Sequence, residues 1–262
     1  MRAVLVLLLV GCGRFGFGEQ SPGDGGFTGG VIDAPDGALP LVDVAPLDAM
    51  LPSGLVVWFP LDEINPQNAS DVVSGFGATC IGATCPVMTG GHRNSAFLFD
   101  GEDDCITVPD MGQFGQARLT LSLWMRQDTN DACSPFAKVV NTTSTSNTWQ
   151  IETTVTNQLS FTTTHSGDSN SRITTANNAF VIGQWQHVAM TYDGTTKQIY
   201  VDGAPIVSGG QASALLYNTQ SAYIGCDNNG GSPAMRFSGA IDEVQIYNRA
   251  LTSPEIQTLA AM

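Results

Sequence analysis

Phe237-Ser-Gly-Ala-Ile-Asp-Glu-Val-Gln-Ile-Tyr-Asn-Arg-Ala-Leu-Thr-Ser-Pro-Glu-Ile256 is the stretch from which the fold is read. Ala240, Ile241, Val244 and Ile246 form a strand that buries aliphatic side chains, with Asp242, Glu243 and Gln245 interleaved. The chain then turns at Asn248-Arg249. Thr252 or Ser253 can N-cap a short helix, with Pro254 at its first position and Glu255 in its first turn. A buried strand needs other strands to pair with, and in this chain those partners have to lie upstream.

They do. Leu55-Val-Val-Trp-Phe-Pro-Leu61 reads as the first, and Ser95–Phe99 and Cys105–Val108 flank an acidic turn, Asp100-Gly-Glu-Asp-Asp104. Leu119–Arg126 alternates cleanly, with Leu119, Leu121, Leu123 and Met125 on one face. Trp149–Val155 and Leu159–Thr163 predict one hairpin, and Trp185–Tyr192 with Lys197–Val201 another across Asp193-Gly-Thr-Thr196. Short strands in this number, one terminal helix and no solenoid period predict an all-β, two-sheet antiparallel sandwich over residues 54–262.

Ten Lys and Arg residues stand against 24 Asp and Glu, a formal net charge of −14, and only Lys138 and Lys197 are lysines. No basic stripe exists to displace phosphate counterions, which argues against nucleic acid, or to hold anionic headgroups by charge. Residues 1–11 read as an export signal: one arginine, then an apolar run from Ala3 to Val10, far short of the ~20 residues that span a bilayer. Leu9-Val10-Gly11-Cys12 resembles the bacterial lipobox, which implies a lipid-modified Cys12 as the mature N-terminus. Residues 12–53, rich in Gly, Pro, Asp and Ala without periodicity, read as a tether that holds the folded part off a membrane.

An ordered set of motifs carries a family resemblance. These are Leu61-Asp-Glu63, Gly90-Gly-His-Arg-Asn-Ser-Ala-Phe-Leu-Phe-Asp-Gly101, Leu119–Trp124, Gly183-Gln-Trp-Gln-His-Val-Ala-Met-Thr-Tyr-Asp-Gly194, Ile199-Tyr-Val-Asp-Gly203, Tyr223-Ile-Gly225 and Ile241–Leu251. Together, over roughly Gly54 to Leu259, they resemble laminin-G-like, concanavalin A-like jelly-roll domains, with pentraxins among the relatives. The resemblance implies a jelly roll that binds and rarely catalyses. It also implies a structural calcium near the joined N- and C-terminal strands, held by Asp103 or Asp104 with Asp242; an ordinary acidic surface turn is the competing reading.

Catalysis finds little footing. His92, His165 and His187 form no zinc-binding spacing, and there is no nucleophile elbow or phosphate loop. Glycosidases of this fold place alternating carboxylates on one strand, whereas Glu152 stands alone in its strand and Asp242-Glu243, being adjacent, are expected on opposite faces. The expectation is a non-catalytic, envelope-anchored module at the outer membrane or cell surface, for carbohydrate or a glycoconjugate; the alternative is a structural or protein-interaction domain with no sugar site. Candidate ligand residues lie in two polar loops, His165 and Asp168 in one and Asp227, Asn228 and Asn229 in the other, beside Trp149 as a stacking aromatic. Of the five cysteines after Cys12, the short Cys80–Cys85 spacing predicts a local bridge, and Cys133 with Cys226 a long-range one. Cys105, where related domains usually carry an aromatic, is left as a buried free thiol.

Overall fold

The structure is a computed structural model and describes residues 51–81, 85–140, 147–166, 169–210, 212–229 and 231–262. Cys12, the expected signal, nearly all of the expected tether and Asp168 lie outside the described residues. Among the described residues, eighteen strands, β1 to β18, precede one helix, α1, at Ser253–Ala260.

The first sheet runs β14(Ala204–Gly210)-β13(Thr196–Val201)-β12(Gln186–Tyr192)-β7(Leu119–Gln127)-β18(Ser238–Tyr247)-β5(Ser95–Asp100)-β4(Val87–Gly90), and β1(Leu55–Phe59) also pairs with β18. The second runs β11(Ser169–Thr174)-β10(Leu159–His165)-β9(Asn147–Thr153)-β8(Phe136–Val139)-β15(Ala222–Ile224)-β6(Ile106–Val108)-β3(Gly77–Cys80)-β2(Asn68–Ser70). A two-stranded ribbon, β16(Asp227–Asn229) and β17(Ser232–Ala234), completes the set. Leu121, Leu123, Val188 and Met190 from the first sheet meet Phe136, Trp149, Ile151 and Phe161 from the second in one buried cluster, the core of a sandwich.

α1 begins as the sequence predicts. Thr252 is its N-cap residue, and the Glu255 carboxylate accepts the Thr252 N–H at 2.8 Å. Ile256 and Leu259 press onto Ala189, Tyr200 and Tyr247, covering part of the first sheet's outer face.

One expectation about β18 is corrected. Asp242 faces Trp124 and Gln245 faces Ser122, so β18 uses one more residue than β7 over that interval, and Glu243 sits at φ 53°. This β-bulge turns an adjacent pair onto one side of the sheet. Both carboxylates reach Arg93, Asp242 by accepting its N–H at 2.9 Å and Glu243 by an ion pair at 3.7 Å. The bulge falls where β18 exchanges β5 for β1 as its neighbour.

The disulfides are Cys80–Cys85 and Cys105–Cys226, and Cys133 is the free thiol. The expected Cys133–Cys226 pairing is therefore wrong, and strand parity explains why. Ile106 points into the core, so Cys105 beside it points outward and clusters with Val139, Tyr223 and Cys226, whereas Cys133 lies between the sheets. Burial pushes the Cys133 thiol up to about 12, against a contact with Thr153 Oγ1 at 3.0 Å.

Both lysines are fully buried as well. Lys138 pairs with Asp110 at 2.8 Å, while Lys197 is held only by uncharged groups.

Candidate functional site

The outer face of the second sheet is its polar face. Thr107, Tyr223, Ala137, Gln150, Thr162 and Arg172 pair strand by strand into one lateral row, and Glu152, Ser160 and Thr174 form the next. The alternate residues Phe136, Ile151 and Phe161 face the core, so parity fixes the polar set outward. Arg172 pairs with Glu152 and donates from Nε to Thr162 Oγ1 at 3.0 Å, and Thr162 Oγ1 donates to Glu152 Oε2 at 3.2 Å.

Over the middle of this face lies the segment that begins at Cys226. Gly225, at φ 79°, lets the chain leave β15, and a Cβ there would overlap the Phe99 ring. The Cys105 bridge then holds Cys226 down, and Asp227 points at β9. Asn147 Nδ2 and Gln150 Nε2 donate to Asp227 Oδ2 at 3.1 and 3.2 Å, and the Asn228 N–H donates to Oδ1 at 2.6 Å. Asn228 in turn donates from Nδ2 to the Tyr223 hydroxyl at 3.0 Å.

Asp227 is 5 % exposed and has no cationic partner among the described residues. Burial raises its pKa, and the Asn147, Asn228 and Gln150 hydrogen bonds only partly offset that. The Asn147 amide oxygen is buried without a partner. Which end of an Asn or Gln amide is oxygen is an assignment from hydrogen bonding, so both amides can turn over. Turned, Asn147 Oδ1 and Gln150 Oε1 would each stand near the present amide spacings of 3.1 and 3.2 Å from Asp227 Oδ2. Neighbouring oxygens on a Ca²⁺ ion, bound at ~2.4 Å, are ~3 Å apart. An orphaned oxygen and an uncompensated carboxylate fit a divalent cation here.

The sequence-expected metal set does not assemble. Asp100, Asp103 and Asp104 bring carboxylate oxygens within 4.8 Å of one another. Asp242, however, pairs with Trp124 four positions along β18 from Ser238, the residue that faces Asp100, and it belongs with Glu243 and Arg93. In the turn, backbone N–H groups already occupy Asp100 Oδ1 and Asp104 Oδ2.

The ligand residues divide. Asn229 is exposed, and Asp227 and Asn228 are brought together at the polar face. Trp149 is not a sugar platform: it is 1 % exposed, with its ring 4.8 Å from Phe136 and 6.0 Å from Phe114. His165 lies in the interior too, bonded to Thr163 and the Ser213 carbonyl. Sequence reading missed Asn147, Gln150, Thr162 and Arg172. The alternation of β9, β10 and β11 marks the last three as outward, but not that Asp227 would fold back onto the sheet.

Solved structures share this fold at low identity. The binding domain of Paraclostridial mosquitocidal protein 1 matches with TM-score 0.63 and 17 % identity, over 79 % of this chain and 52 % of that one. This chain therefore spans about half of that binding domain. Domain 4 of AbnA, an extracellular arabinanase from Geobacillus stearothermophilus solved with arabinotriose, matches with TM-score 0.60 and 22 % identity over 79 % and 98 %. Trypanosoma rangeli sialidase matches with TM-score 0.60 and 18 % identity over 80 % and 33 %. No curated protein sequence matches. The domain is a lectin-like fold, similar to receptor-binding and carbohydrate-binding modules and shared by chains of enzymes. Residues 100–257 match the laminin-G model of the concanavalin A-like lectin/glucanases superfamily, and the chain belongs to that family.

Proposed function

We propose that the chain is a non-catalytic binding module that takes a polyhydroxylated ligand, a glycan or glycoconjugate, on the outer face of the second sheet. The observation that carries this is Asp227: a buried carboxylate with no cationic side chain against it among the described residues, ringed by amides and set into a strip of Gln, Glu, Thr and Arg. A divalent cation bound there through Asp227, Asn147 and Gln150 would supply open coordination positions for vicinal hydroxyls. Arg172 and Glu152, fixed by Thr162, offer donors and acceptors in a rigid frame. Glu152, the carboxylate of that row, is tied into an ion pair, which favours recognition over acid catalysis.

A glycan array with the full chain, in calcium and in chelator, tests this. Binding is expected only in calcium, and Asp227→Ala should abolish it. Calcium should also raise the melting temperature of the metal-stripped wild type, by ~2.7 kcal/mol of linkage at a hundredfold excess over Kd, and leave Asp227→Ala unmoved. If every glycan stays unbound in calcium, the module serves protein interaction instead.

We also propose that this module is displayed from a membrane through lipid on Cys12. The signal-like residues 1–11 and lipobox support it, and two disulfides suit an exported protein. Among the described residues no helix is long and apolar enough to cross a membrane. Cys12→Ser should move the protein from the membrane pellet to the soluble fraction; continued pelleting with unchanged processed mass would refute the anchor.

A further inference from the structure

The strand pair β10–β11 presents Thr162, Asn170 and Arg172 to the ligand face, and on its other side it meets Lys197 of β13. Lys197 is fully buried, and its ammonium donates to Thr163 Oγ1 at 3.0 Å and to the Ser171 carbonyl at 2.6 Å. Thr163 Oγ1 also lies 2.7 Å from His165 Nε2, and His165 Nδ1 lies 2.9 Å from the Ser213 carbonyl. A carbonyl only accepts, so the proton sits on Nδ1 and Nε2 is the acceptor. The bonds therefore run one way, from Lys197 to the Thr163 hydroxyl, to His165, to Ser213. Tyr192 donates to the same Ser213 carbonyl at 2.5 Å.

This chain ties down structure on both sides. The Ser166 N–H donates to the Ala214 carbonyl and the Leu216 N–H to the Thr164 carbonyl, fixing 213–216 along β10. Thr164 Oγ1 donates outward to the Asn147 carbonyl at 2.7 Å, one residue from His165 and on the residue that holds Asp227. The titratable groups facing His165 are Lys197 from β13 and Tyr192 from β12, while 213–215 offers backbone alone. Among the described residues no carboxylate is recorded against it. A second proton on His165 would set an N–H against the Thr163 O–H and a positive charge beside Lys197. Burial, and then the Lys197 charge, already hold the imidazole below its ordinary range.

We propose that this hydrogen-bond chain is an acid-sensitive latch: protonation of His165 loosens β10–β11 and frees the ligand from the polar face. The release step rests on the binding reading above, but the loosening does not. Amide hydrogen exchange of the full chain at pH 7.5 and 5.5, corrected for intrinsic rates and without ligand, tests the latch. Residues 159–174 should lose several-fold and up to ~10-fold protection relative to β7 and β12 on acidification, the ceiling for one histidine over this interval, and His165→Asn should not show the loss. Unchanged protection in the wild type, or an equal loss in His165→Asn, overturns the proposal. Lys197→Met should raise the His165 titration midpoint, read from its imidazole NMR signal, and an unmoved midpoint also overturns it. A failed glycan array at pH 7.5 sinks the binding reading and leaves the latch standing. Glycan binding that persists undiminished at pH 5.5 while the strands loosen overturns the release step.

Discussion

Removing the Cys105–Cys226 bridge should destabilise the domain by ~4–5 kcal/mol on the loop-entropy treatment, because the bridge closes a sequence separation of 121 residues. The Cys80–Cys85 bridge closes a separation of 5, and its removal should cost only ~2 kcal/mol. The long bridge also anchors the segment that carries Asp227, so its loss should shrink the calcium-dependent rise in melting temperature. Guanidinium unfolding of Cys105→Ser/Cys226→Ser, of Cys80→Ser/Cys85→Ser and of the wild type orders the three. Cys133 should not rescue the first variant: its thiol, pushed up to about 12 inside the core, supplies almost no thiolate for exchange. A Cys105→Ser/Cys226→Ser variant as stable as the wild type would remove this staple from the account of the site.

The fold was legible because alternation is a local signal. Leu119 to Met125 declares its inner face without knowledge of any neighbour, and the turns at Asp193-Gly194 and Asp202-Gly203 fix the ends of β13. The site was less legible because it is made by a return of the chain. Asp227 and Asn228 were visible as polar residues in a loop, but not that the loop folds back on β9 to meet Asn147 and Gln150. Trp149 misled for the converse reason: an aromatic among Thr, Asn and Gln suggests a sugar platform, while its parity with Ile151 places it inside. The Asp242–Glu243 pair defied alternation because one extra residue shifts the period, which no composition announces. Cysteine pairing failed at the same level, since Cys105 and Cys133 lie on opposite sides of one sheet.

Between about pH 6.5 and 4, His187 and Asp242 should make two large and opposing contributions to the stability of the folded protein. His187 is 1 % exposed, with Nε2 at 2.8 Å from Ser122 Oγ; burial, and then His92, push its pKa down from 6.5 to about 3. Over that interval the unfolded chain binds a proton that the folded chain refuses, so stability falls as pH falls. Asp242 lies across Trp124 from His187, and burial is the main cause that pushes its carboxyl up from 3.8 to about 7. Between those values the folded chain keeps a proton that the unfolded chain has lost, so stability rises as pH falls. At 1.36 kcal/mol per unit, each contribution amounts to ~3–4 kcal/mol by pH 4, with opposite sign. Two single variants separate them. Asp242→Asn removes the gain and should lose ~3 kcal/mol between pH 6.5 and 4, while His187→Gln removes the loss and should become more stable over the same range. Urea midpoints across that range read both slopes. If both variants keep the slope of the wild type, the compensation does not exist, and the bulge at Glu243 does no more than hold Arg93 and Trp58 in place.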